Sequence, residues 1–80
     1  MINREKDLQF LSENIIKAEN NNCTDNDLIR VVTQFYDNFD PVSKCDVSSI
    51  LDRASKKGLM AKDRSALIEA LKQLKKEFSK

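Results

Sequence analysis

The stretch TDNDLIRVVTQFYDNFDP, residues 24–41, decides the fold of this chain. It opens on a helix start. Thr24 is followed three residues later by Asp27, the spacing of a capping box with Asp in the place usually held by Glu or Gln. Leu28, Val32, Phe35 and Phe39 then recur at steps of four, three and four, which sets them on one face of a helix. Ile29, Val31 and Tyr36 widen that face. The stretch closes on Asp40-Pro41, where proline disfavours helical geometry in the residue before it yet fits the first position of a new helix. Asp40 therefore ends one segment and caps the next, with Ser43 as the competing cap. The spacing predicts a helix over 25–38, the most apolar of the chain and expected at the centre of a bundle.

Three further helices follow on either side. Leu8, Leu11, Ile15 and Ala18 keep helical spacing over about 4–19, with Asn3 as a cap and Glu5 and Asp7 at the positive end of the dipole. Phe10 and Ile16 lie off that stripe and broaden it. Asn20-Asn21-Asn22 favours local turn hydrogen bonds and reads as a connection. Val47, Ile50, Leu51 and Ala54 define a helix over 41–57, which Lys56, Lys57 and Gly58 should stop, with Leu59 packing back on the last turn. Leu67, Leu71, Leu74 and Phe78, with Ala66, Ile68 and Ala70 beside them, define the last helix over 61–78. No segment shows the alternation of a half-buried strand. The fold class expected is all-α: one domain, 1–80, folded as a small compact bundle of four amphipathic helices. Its short connections favour sequential, antiparallel neighbours.

Composition agrees with that class. The chain has 80 residues, 40% hydrophobic and 34% charged, with one Gly and one Pro, which leaves little for the turns of a β-barrel. No apolar run approaches the roughly 18–20 residues of a membrane span. The opening MINREKDLQFL lacks the apolar core of a signal peptide, so a cytoplasmic protein with no membrane contact is expected. A core this small often gains stability by dimerising or docking.

Catalytic and metal chemistry find little footing. The chain has no histidine, which removes Ser-His-Asp and Cys-His sites and the commonest general base. Two separated cysteines, Cys23 and Cys45, cannot complete a four-ligand zinc site and are expected as reduced, partly buried thiols. A calcium loop starting at Asn20 fails, because its sixth position is Asp25 rather than Gly and its twelfth is Val31 rather than Glu. Gly58, the one glycine, cannot make a phosphate-binding loop. No enzyme activity, cofactor or metal is expected.

Charge gives the clearest pointer to partners. Residues 1–40 carry four bases against eight acids, a net of −4, and residues 41–80 carry ten bases against five acids, a net of +5. Many of these charges suit the helix dipoles; Lys44, Lys62, Arg64 and Asp37 oppose them. Arg53, Lys56, Lys57, Lys62 and Arg64 flank the turn at Gly58, while Lys72, Lys76 and Lys80 form a stripe on the last helix. Phe35 and Phe39 read as core; Tyr36, rotated about 100° from Phe35, reads as a boundary residue beside Asp37. Arg53, Lys57, Lys62, Arg64, Lys72, Lys76, Tyr36 and Asp37 are the candidate partner-binding residues, with the surface centred on the Gly58 turn. The function these features suggest is a non-enzymatic protein-interaction module: a small adaptor, inhibitor, immunity-type protein or regulatory subunit. Its partner would be another protein, a second copy of the chain, or both. On this view Arg64→Glu weakens binding without unfolding the helix. The alternative is a helix-turn-helix-like nucleic-acid-binding regulator using the basic region of the last two helices. Asp63, and the lack of Asn or Gln in the first turns of the last helix, count against that alternative.

Overall fold

Local capping chemistry places the helix ends. The computed structural model describes residues 4–79. It contains α1 (Arg4–Glu19), α2 (Asp25–Gln34), α3 (Pro41–Lys57) and α4 (Ala61–Phe78), with no strand among the described residues. The fold is a small all-α bundle. The Asn3 cap expected for α1 lies outside the described residues, as does Lys80. Thr24 Oγ1 accepts the Asp27 N–H at 3.1 Å and starts α2. Asp40 Oδ1 accepts the Ser43 N–H at 2.7 Å and starts α3, so Asp40 and not Ser43 is the cap. That bond holds the Asp40 carboxyl below its ordinary range, because the ionised form is the better acceptor. Gly58 ends α3 at φ +82, a conformation a side chain would resist, while its N–H bonds the Ala54 carbonyl.

Asn21 closes α1, also at positive φ, 59. The Asn22 N–H bonds the Lys17 carbonyl at 2.7 Å and the Asn21 N–H bonds the Ala18 carbonyl at 3.3 Å. These two bonds are a Schellman motif with Asn at its left-handed position.

The second helix is shorter than its apolar spacing predicts. It ends at Gln34, and Tyr36–Asn38 tighten into a single 3-10 turn. The Asn38 N–H bonds the Phe35 carbonyl and the Phe39 N–H bonds the Tyr36 carbonyl. Asp37 and Asn38 have short polar side chains that compete for backbone groups, and Asp37 opposes the dipole at a helix end. Phe35 and Phe39 are both buried all the same.

The centre of the bundle is α4, not α2. α4 packs against α1, α2 and α3, and its Leu67 and Leu71 are fully buried with Leu11, Leu28, Val32 and Val47. Length explains the exchange: 18 residues reach roughly 27 Å, whereas the 10 of α2 reach roughly 15 Å and cannot span the core. The chain neighbours α3 and α4 do pack together, yet the most extensive packing joins α1 to α4, the first helix to the last. Cross-links set their sense. Glu19 pairs with Lys72, while Ser12 lies across a groove from Ser79, so α1 and α4 run antiparallel. Asp25 pairs with Arg64 and the Phe35 ring meets the Phe78 ring at 6.0 Å, so α2 runs alongside α4 in the same direction. Phe10, on the edge of the α1 stripe, completes this aromatic cluster at 6.0 Å from Phe35. Leu8, Leu51, Ala54 and Phe78, expected in the core, are half-buried, Leu51 and Phe78 packing against its margin.

Candidate functional site

The basic residues around Gly58 divide into those the fold uses and those it leaves open. Arg53 reaches from α3 to the first turn of α4, where its Nε and an Nη donate to the two carboxylate oxygens of Asp63 at 3.2 and 2.9 Å. Among the described residues Asp63 is the one buried charged side chain, 7% exposed. Hydrogen bonding to Arg53 holds its carboxyl below the ordinary range and raises the guanidinium in return. A planar, two-toothed pair of this kind fixes geometry as well as charge. Arg64 is held more fully. One Nη donates to Asp25 at 2.7 Å and the other to the Cys23 carbonyl at 2.7 Å, leaving the side chain 18% exposed. It ties the start of α4 to the α1–α2 connection. Arg64→Glu, expected to spare the fold, would place a carboxylate against Asp25 and the Cys23 carbonyl and would strain that junction.

The remaining candidates are scattered. Lys57 and Lys62 are exposed beside the Gly58 turn, and their ammonium groups form no ion pair among the described residues. Lys72 sits between Glu19 at 3.3 Å and Glu69 at 3.6 Å, and its hydrogen bond to Glu19 raises its ammonium above the ordinary range. Tyr36 is half-buried as a boundary residue, with the Lys44 ammonium 5.8 Å from its ring centre. Asp37 is exposed on the 3-10 turn. Lys62 and Lys76 lie on one helix but roughly 21 Å apart along its axis. Lys62 and Lys76 are therefore not neighbours, and Arg64 and Lys72 are already engaged by carboxylates of the fold.

A different surface gathers where α1 meets the C-terminal half of α4. Ser12, Ile15, Ile16 and Glu19 face Lys72, Lys75, Lys76 and Ser79 across a groove of about 290 Å³. Ile16 is 58% exposed on its wall. The ammonium groups of Lys75 and Lys76 form no ion pair among the described residues. On the other flank of α1, Phe10 (37% exposed) and Val31 line a second groove of about 440 Å³ with Lys17 and Arg30. Ile16 and Lys75 were not among the sequence candidates. Their signal was an aliphatic residue off the buried stripe, which reads as a wider core until α4 is known to be its neighbour.

The thiols serve no visible chemistry. Cys23 is buried and Cys45 exposed, both free. Burial pushes the Cys23 thiol up, Asp27 adds to the effect, and its Sγ donates to the Thr24 carbonyl at 3.5 Å. Among the described residues no group of acidic, His or Cys side chains is placed to hold a metal ion, and no helix is long and apolar enough to cross a membrane. Comparison with protein-family models, with curated proteins and with solved structures found no match.

Proposed function

We propose that this chain is a non-enzymatic protein-interaction module of the cytoplasm, an adaptor, inhibitor, immunity-type protein or regulatory subunit, that binds through an exposed helix face. One observation carries the reading. The core is complete around α4, yet α1 keeps a large apolar side chain open on each flank, Ile16 beside α4 and Phe10 beside α2. Each of the two borders a groove rather than flat surface. Apolar side chains in grooves with polar rims are the anatomy of a protein contact. The nucleic-acid alternative draws on Lys57 and Lys62. It gains nothing from Arg64, which is held within the fold, and the first turn of α4 faces α2 and α3 through Arg64 and Asp63.

The test is retention of a partner. Purified tagged chain is passed through nuclease-treated lysate of its native cells, and its own mass is followed by light scattering. A retained protein in near-stoichiometric amount, or a dimer of the chain itself, is expected. A strictly monomeric chain that retains no protein overturns the reading. In a parallel gel-shift titration, binding of a DNA duplex that falls steeply with salt would transfer the assignment to the nucleic-acid alternative.

A further inference from the structure

Which flank of α1 takes the partner, and what the partner looks like there, follow from charge. The inference rests on the interaction-module reading above. We infer that the groove between α1 and the C-terminal half of α4 is the docking site for an acidic segment of a partner protein, an apolar anchor flanked by carboxylates. The anchor packs on Ile16 while the carboxylates meet Lys75 and Lys76.

Three observations select this occupant. The groove wall is apolar through Ile15 and Ile16, and its rim carries Lys72, Lys75 and Lys76 against the single acid Glu19. Lys72 engages Glu19 at 3.3 Å, so the one acid of the rim does not meet Lys75 or Lys76, whose ammonium groups form no ion pair among the described residues. The same arithmetic excludes a two-fold contact of this groove with itself. A two-fold contact sets a patch against itself, which here brings the lysines of one chain onto those of the other with no free carboxylate between them. A duplex satisfies the lysines but brings no aliphatic side chain to the exposed Ile16. A side chain projecting from a peptide reaches it. The opposite groove carries Lys17 and Arg30 but also Asp27, whose carboxylate opposes an acidic ligand.

The probe is a synthetic amphipathic peptide with Leu at helical spacing and Glu between, titrated into isotopically labelled chain and followed by amide shifts. Its controls are the same peptide with Lys for Glu, a short DNA duplex, and vesicles of anionic lipid. Shifts at Ser12, Ile16, Lys75, Lys76 and Ser79 with the acidic peptide alone are expected. Lys75→Glu/Lys76→Glu should lower affinity about tenfold or more, and Ile16→Ser about tenfold, with the circular dichroism of both variants unchanged. Equal binding of the basic peptide, shifts centred on Phe10 or the Gly58 turn, or shifts at the groove produced by duplex or vesicles instead, each overturn the assignment. The two levels separate cleanly. If the wild-type chain retains a partner from lysate and Ile16→Ser with Lys76→Glu retains it equally, the groove is wrong and the module reading stands.

Discussion

The two ends of α4 carry similar charge and use it in opposite ways. At its start, Asp63 and Arg64 turn inward and are met by Arg53, Asp25 and the Cys23 carbonyl. At its end, Lys75 and Lys76 line a groove with the exposed Ile16 and form no ion pair among the described residues. A cation binds a partner only if the fold has not already engaged it, and residue type alone does not distinguish the two cases. By sequence alone, the charges that oppose the helix dipole point to a binding surface near Gly58. For Arg64 the opposition has a structural cause: its charge is directed to Asp25 on another helix.

Variants can break or sharpen that contrast. The largest effect is expected midway between the ends, where Leu71→Ala removes a fully buried side chain from the hub; urea denaturation should show a loss of roughly 2–5 kcal/mol. Arg64→Met keeps the aliphatic stem but leaves Asp25 and the Cys23 carbonyl without their donor, at a cost of about 2 kcal/mol by the same measurement. A loss near zero would show the two ends of α4 to be alike after all. Acid provides a third comparison. The Asp63 and Asp40 carboxyls are held below their ordinary range when folded, so their contribution is complete above the unfolded value of about 4 and is lost as pH falls through the folded one. Asp63→Asn should lower the urea midpoint at pH 7 and shrink its decline toward pH 3, so that variant and wild type converge in acid. The smallest effect belongs to Lys76→Met, expected within about 0.5 kcal/mol of wild type, because no ion pair among the described residues is lost. A larger loss there would mean that the fold relies on the very charge assigned to a partner.

Helix ends were legible in the sequence because their causes lie within four residues. Thr24 starts the second helix, Asp40 and Pro41 start the third and Gly58 stops it, and the helices over 4–19, 41–57 and 61–78 are found where their spacing puts them. The second helix was legible only to Gln34. Its apolar spacing continues to Phe39, but a 3-10 turn buries Phe39 just as well, and apolar spacing alone does not separate the two. What was not legible was pairing over distance. The bonds of Arg64 reach 39 and 41 residues back along the chain, and no local pattern announces them. For the same reason α4 was not recognisable as the hub, nor Ile16 as a surface residue. Both depend on which helix lies next to α1.

The meeting of the first helix with the last has a consequence for how the molecule is made. A ribosome delivers the chain from the N-terminus at about 5–20 residues per second. Until α4 emerges, α1, α2 and α3 have been synthesised with apolar faces turned toward a helix that does not yet exist. The core that these three helices share is therefore complete only when Leu67, Leu71 and Leu74 have been made.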